Sequence, residues 1–133
     1  MSSVVADTHA ICWFLSEPDR LSPRARAALR NACLPGEAVY VSVISLVEME
    51  YLAERGRIPR EFLERLWAEL RAPAPQIVAL PVGLGVAQAL SAVPREAVPD
   101  MPDRIIAATA VHLGLPVVTR DGRIHAADVE TIW

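Results

Sequence analysis

The fold is decided first by the stretch VVADTHAICWFL, residues 4–15. Its opening apolar run is typical of a buried strand, and Asp7 ends that run. The spacing of apolar residues in the remainder predicts a short helix over residues 8–15. A buried strand that passes directly into a helix is the first unit of an α/β fold.

The same alternation continues along the chain. Further strands are predicted at residues 39–42, 77–80 and 116–119, with an edge strand at 129–133. Helices are predicted at residues 24–33, 45–55, 60–71, 86–93 and 103–112. Strands that alternate with helices favour a three-layer α/β/α sandwich around a mainly parallel sheet. No linker divides the chain, so residues 1–133 are expected to form a single domain.

Composition excludes several kinds of chemistry. The chain has 133 residues, 53% of them hydrophobic, and its 13 basic residues are all arginine. Without lysine, P-loop, kinase and Schiff-base mechanisms are excluded. Cys12 and Cys33 are the only cysteines, which excludes a thiolate zinc site and favours a reducing cytoplasm. The N-terminus lacks the pattern of a signal peptide, and no apolar run approaches the length of a membrane helix.

Four carboxylates occupy related positions in the predicted elements. Asp7 and Asp121 follow strands, Glu48 lies one turn into a helix, and Asp103 begins a helix. In a parallel sheet such positions share the carboxyl edge, so these side chains are expected to converge. Converging carboxylates repel one another unless a cation neutralises them, and oxygen ligands favour Mg²⁺ or Mn²⁺. Paired ions of this kind hydrolyse phosphodiesters by activating water and stabilising the leaving oxygen.

Each acid also has a structural interpretation. An aspartate that follows a strand is usually a turn residue or a helix cap. Glu48 stands three residues after Ser45, which is the spacing of a capping box. The joint pattern of four acids, rather than any one of them, favours a metal site.

Four segments carry a resemblance to a known family. They are Val5-Ala6-Asp7-Thr8-His9-Ala10 with Trp13, Ser42-Val43-Ile44-Ser45-Leu46-Val47-Glu48, Pro102-Asp103-Arg104-Ile105-Ile106-Ala107-Ala108-Thr109-Ala110, and Val117-Val118-Thr119-Arg120-Asp121. In this order they resemble the signature blocks of PIN-domain ribonucleases, and more narrowly the VapC toxins of bacterial toxin–antitoxin pairs. The resemblance covers nearly the whole chain.

The resemblance implies a PIN-like sandwich, a homodimer, and Mg²⁺- or Mn²⁺-dependent cleavage of single-stranded or loop RNA. It also implies a cognate antitoxin whose C-terminal segment blocks the acidic pocket. The family's catalytic and metal-binding acids correspond to Asp7, Glu48, Asp103 and Asp121. Many relatives have a histidine before the Asp103 helix, and this chain lacks it. Asp100 is therefore left with two interpretations, an outer fifth metal ligand or a loop cap.

Several polar residues are candidates for supporting roles. Thr119 is expected to orient a carboxylate or a bound water, and Ser45 and Thr8 are each either a cap or a hydrogen-bond partner of the acids. Arg104 and Arg120 are candidate RNA-phosphate ligands, although for Arg104 an ion pair with Asp100 is the favoured role.

Aromatic residues and histidines are ambiguous from sequence. Trp13, Phe14 and Trp67 suit base stacking, but their helical spacing favours the core or an interface. His9 is expected to be mainly structural.

The predicted function is a metal-dependent endoribonuclease of VapC type. A catalytically silent PIN module that binds RNA or a protein partner is the alternative. A phosphomonoesterase with Asp7 as nucleophile is disfavoured, because His9 occupies the position of its second acid and lysine is absent. The formal net charge is −3, and setting aside the four pocket acids changes it to +1. So weak an electrostatic attraction to RNA predicts recognition of one RNA shape rather than general degradation.

Overall fold

A computed structural model describes residues 2–133. The strands are β1 (Val4–Ala6), β2 (Val39–Ser42), β3 (Ile77–Leu80), β4 (Val117–Val118) and β5 (Thr131–Ile132). The helices are α1 (Thr8–Ser16), α2 (Pro23–Ala32), α3 (Val43–Glu54), α4 (Arg60–Leu70), α5 (Leu84–Ala89), α6 (Met101–Leu113) and α7 (Gly122–Ala126). Short 3₁₀ turns occupy Pro18–Arg20 and Leu90–Ala92.

The strands form one sheet in the order β3-β2-β1-β4-β5, and every neighbouring pair is parallel. Val5 of β1 lies beside Tyr40 of β2 on one side and Val117 of β4 on the other. All five strands therefore end at the same edge. This confirms the predicted parallel sheet, including β5 as its edge strand.

Alternation along β1 separates two hydrophobic cores. Val4 and Ala6 face a core built with α1 to α4, whereas Val5 faces a second core built with α5 to α7. Helices cover both faces of the sheet, so the three-layer sandwich is confirmed. No helix among residues 2–133 is long and apolar enough to cross a membrane.

Helix α3 begins earlier than the sequence predicts. Its N-cap is Ser42, whose hydroxyl accepts a hydrogen bond from the Ile44 N–H at 3.2 Å. The assignment of Ser45 as the cap, with Glu48 in a capping box, is therefore wrong. Ser45 is buried inside the helix. The error arises because one serine both ends β2 and caps the helix, with no turn between them.

Two further aspartates cap helices at the same edge. Asp100 accepts a hydrogen bond from the Asp103 N–H at 3.2 Å, so α6 begins two residues before its predicted start at Asp103. Asp121 accepts one from the Arg123 N–H at 2.9 Å and begins α7, where the sequence predicts only a turn. The three caps place α3, α6 and α7 with their first turns around the carboxyl ends of the strands.

Candidate active site

An open cleft of about 830 Å³ lies at the carboxyl edge of the sheet. The four predicted acids all line it, together with Asp100. Its remaining lining residues are His9, Trp13, Arg20, Arg120, Arg123 and Trp133. The topology thus brings together carboxylates that are distant in the chain.

Asp7 is the most enclosed of the acids, with 8% of its surface exposed. One carboxylate oxygen accepts a hydrogen bond from the Ala10 N–H at 2.8 Å, and the other accepts one from the Thr119 hydroxyl. Burial raises the pKa of Asp7, and these two hydrogen bonds offset only part of the rise. The side chain is therefore both fixed in position and costly to ionise.

Glu48 is held directly by the Thr8 hydroxyl, which Ser45 contacts in turn. Thr8 Oγ1 lies 2.6 Å from Glu48 Oε1 and 2.9 Å from Ser45 Oγ. A hydroxyl has one proton, so Thr8 donates it to the carboxylate and accepts the Ser45 proton in turn. Burial raises the pKa of Glu48, and the nearby charge of Asp100 raises it further. The Thr8 and Ser45 hydroxyls thus orient an acid rather than cap a helix.

Asp103 is repelled by all four of the other acids in the cleft. Burial, followed by the charges of Asp100 and Asp121, raises its pKa to about 7. Asp121 is held near the end of β4 because its N–H donates to Thr119 Oγ1 at 3.0 Å. Thr119 therefore joins Asp7 to Asp121, as a single hydroxyl that donates to one and accepts from the other.

The structure confirms one interpretation of Asp100, the cap, whereas its role as an outer metal ligand stays a prediction. Asp100 caps α6, and it also lines the cleft close enough to perturb Asp103 and Glu48. Its side chain is exposed, whereas those of the other four acids are buried or partly buried.

Within residues 2–133, no arginine or histidine forms an ion pair with any of these five acids. No three of them are grouped there as the ligands of one ion. Their chemistry nevertheless fits a hard divalent cation, because the donors are carboxylate oxygens whose negative charge is offset only in part, at Asp7 and Glu48, by the charge of His9. Cys12 does not compete as a ligand, since burial raises the pKa of its thiol to about 12.

Comparison with known proteins agrees with this geometry. Residues 4–130 match the PIN domain family. The chain belongs to the PIN domain family. It is 33% identical to Ribonuclease VapC22 of Mycobacterium tuberculosis over 137 aligned positions, which cover 100% of both chains.

Solved structures show the same fold as this PIN domain. VapBC2 from Rickettsia felis, bound to a DNA fragment from its promoter, matches with a TM-score of 0.71 at 12% identity, covering 96% of each chain. FitAcB from Neisseria gonorrhoeae matches with a TM-score of 0.60 at 29% identity, covering 96% of this chain and 95% of that one. The PIN-like fold predicted from the sequence is confirmed.

Arg104, one of the two predicted RNA-binding residues of the PIN domain, makes its hydrogen bonds outside the cleft. The Arg104 guanidinium donates to the carbonyls of Val93 and Leu90, each at 2.9 Å. It does not line the cleft, nor does it pair with Asp100. The assignment of Arg104 to RNA binding is therefore corrected. Its guanidinium hydrogen-bonds the start of α6 to the turn that follows α5.

The structure places several other residues whose positions relative to the cleft the sequence left open. Arg120 is exposed and lines the cleft, and its assignment to RNA binding stays a prediction. Trp13 lines the cleft while also packing against the core, and His9 is exposed beside it. Sequence reasoning missed Arg20 and Trp133. Neither lies in a recognisable motif, so only the path of the chain brings them to the acids.

Proposed function

We propose that this PIN domain is a metal-dependent endoribonuclease that acts as the toxin of a VapBC-type toxin–antitoxin pair. One observation carries the proposal: acids from four separate chain segments line one cleft, Asp7, Glu48 and Asp103 have raised pKa values, and none of these acids forms an ion pair with an arginine or histidine of residues 2–133. Full-length similarity to a VapC ribonuclease supports the reaction. The proposed substrate is single-stranded or loop RNA.

Asp7, Glu48, Asp103 and Asp121 would hold Mg²⁺ or Mn²⁺, with Asp100 at the outer rim. Such an ion, when bound, supplies positive charge at the scissile phosphate and a water of lowered pKa. The residues of the chain prepare the site before any ion enters. Thr119 fixes Asp7, and Thr8 fixes Glu48, so neither carboxylate has to be reoriented when RNA arrives.

Asp103 contributes to the change in charge of the cleft near neutral pH. Because its pKa is about 7, its carboxyl group is divided between protonated and ionised forms at that pH. Binding a cation favours the ionised form and releases the proton. Water attack on the phosphodiester would leave a 5′-phosphate and a 3′-hydroxyl.

The proposed partner is a cognate antitoxin. An apolar hollow of about 480 Å³ lies between α3 and α4, lined by Val43, Leu46, Val47, Tyr51 and Trp67 with two glutamates. Val47 and Tyr51 are 48% and 59% exposed, which is unusual for large apolar side chains on neighbouring turns of one helix. This helix pair is the part that resembles the antitoxin-binding region of VapC toxins. A homodimer in the cytoplasm completes the proposal.

The test is cleavage of total bacterial RNA by the purified protein with Mg²⁺ or Mn²⁺. We expect discrete fragments that disappear with EDTA and with Asp7→Asn, which keeps the shape of the side chain but removes its charge. Asp128→Asn is the matched control, because Asp128 lies outside the cleft and its positive φ of 63° suits asparagine. Equal cleavage by Asp7→Asn would contradict the proposed site. No cleavage by a folded wild-type protein would favour a silent RNA- or protein-binding module.

A further inference from the structure

Beside the acids, the cleft carries a cluster of aromatic and basic side chains. We call Trp13, Trp133, Arg20 and Arg120 the Trp13 cluster; all four line the cleft. Trp13 comes from α1, directly after the Asp7 turn, whereas Arg120 precedes Asp121. The cluster is therefore connected through the backbone to two of the acids.

The Trp13 ring is the centre of this cluster. The guanidinium carbon of Arg20 lies over it at 4.4 Å from the ring centroid, and that of Arg120 lies over it at 5.8 Å. Trp133 contacts it edge-on, with centroids 5.9 Å apart. Trp13 also packs against the core below the cleft, so the ring is a fixed base. Two cations on one ring leave it poorly placed to stack on an RNA base.

The contact with the Trp13 ring holds these guanidinium groups in place and leaves their N–H donors available for hydrogen bonds. A guanidinium that lies over a ring keeps its N–H groups free in its own plane, where they match the oxygens of a phosphate. The Arg120 side chain has no hydrogen bond or ion pair to any other part of residues 2–133. Arg20 has one ion pair there, to Glu17 at 3.4 Å, and both side chains are more than half exposed. Such a surface pair is readily exchanged for a better anion.

The carboxylates around Arg20 and Arg120 indicate which kind of anion these two arginines bind. Both arginines lie in the same cleft as five carboxylates and pair with none of them. The chain thus holds over Trp13 two cations that no cleft carboxylate neutralises, where a polyanion must pass to reach the acids. We propose that Arg20 and Arg120, ordered over Trp13, form a phosphate-binding subsite that holds the RNA backbone beside the acidic cleft. This inference rests on the proposed RNA activity and names the residues that grip the substrate.

The experiment measures RNA binding as a function of salt. The probe is a fluorescein-labelled 20-nucleotide RNA of random sequence, titrated by anisotropy in EDTA, with gels to check that it stays intact. Each arginine–phosphate contact contributes about 0.7 to the slope of log K against log salt for a single strand. We therefore expect Arg20→Ala and Arg120→Ala each to lower that slope by about 0.7, and to raise the Kd about fivefold at 0.1 M salt.

Two further variants separate phosphate contact from folding and from net charge. Arg71→Ala removes the same charge from an exposed position outside the cleft and should keep the wild-type slope. Trp13→Leu keeps both cations but removes the ring that orders them. It should keep the slope while raising the Kd about 3- to 10-fold, because both side chains must then be ordered on binding.

The outcomes distinguish the subsite from the proposed function. Wild-type slopes in both cleft variants, or a wild-type protein that does not bind the probe, would overturn the subsite. If the wild type still cleaves total RNA in that case, the nuclease proposal survives alone. If the slopes fall as expected but no RNA is cleaved with Mg²⁺ or Mn²⁺, the nuclease proposal fails and the phosphate-binding subsite stands.

Discussion

Replacing Asp103 by asparagine is expected to stabilise the metal-free protein while abolishing its activity. Asp103 carries the best-defined electrostatic cost of folding in this molecule, because burial and its acidic neighbours raise its pKa from 3.8 to about 7. A carboxyl group whose pKa is higher in the folded chain binds more protons when folded. The free energy of unfolding therefore decreases as the pH rises from about 4 to about 7.

The pKa shift sets an upper limit on the size of this effect. A rise of about three units corresponds to about 4 kcal/mol of stability lost by pH 8. Asp103 is only partly buried, so solvent screening reduces the expected loss to about 2 kcal/mol. Asp103→Asn resembles the protonated acid and should recover that amount, or about 6 °C in Tm for a domain of this size. Asp7 and Glu48 also have raised pKa values, so the variant should keep part of the pH dependence.

Urea denaturation in EDTA at pH 5 and pH 8 measures the effect. The lowered pKa values of Glu37 and Glu50 do not interfere, because their contribution to stability is already complete at pH 5. Asp19→Asn is the matched control: its side chain is 99% exposed, and the loss of its surface ion pair with Arg26 should change both values little. An Asp103→Asn protein no more stable than wild type at pH 8, or a wild type more stable at pH 8 than at pH 5, would refute the reasoning.

Three other substitutions test the remaining parts of the structure. Thr8→Val removes the hydroxyl that donates to Glu48, and RNA cleavage should fall about 10- to 100-fold in a protein that remains folded by circular dichroism; unchanged cleavage would show that the hydroxyl is dispensable. Arg104→Met leaves the Val93 carbonyl without a donor and the Leu90 carbonyl with only the Val93 N–H, and it should lower the free energy of unfolding by about 2 kcal/mol. The salt dependence of RNA binding should not change in that variant, and a smaller slope would place Arg104 on RNA after all. Leu63→Ala removes a fully buried core side chain of α4 and should cost about 2–5 kcal/mol in the same denaturation assay; a loss below about 1 kcal/mol would contradict this packing.

The architecture could be predicted because its signals are local. Short apolar runs that alternate with amphipathic stretches require a parallel sheet covered on both faces, and the structure has that arrangement. The ends of the helices were less predictable. Ser42 and Asp100 each cap a helix from a position that the sequence pattern assigns to the preceding strand or loop. A cap is defined by backbone geometry, which a residue type alone does not specify.

The acids and the arginines of the cleft differ in how far sequence could place them. Asp7 and Asp121 follow strands of a parallel sheet, so their meeting at one edge follows from topology alone. Arg104 stands beside Asp103 in the chain, yet its guanidinium points away from the cleft to two carbonyls. Arg20 stands in no motif and nevertheless lies over Trp13. Long flexible side chains reach partners that chain position does not reveal.

By itself the sequence determined the alternation of strands and helices, the acids at the edge of the sheet, and the family resemblance, because hydrophobic period and motif spacing are properties of the chain. Only the tertiary structure decided how those acids are charged and which cations serve the cleft. The pKa of Asp103 depends on burial and on neighbours from other segments. Arg20 comes from the turn after α1 and Arg120 from the end of β4. Their positions over Trp13 therefore depend on how these two segments fold against α1. Both are long-range effects, since electrostatic energy depends on distance in space rather than on separation along the chain.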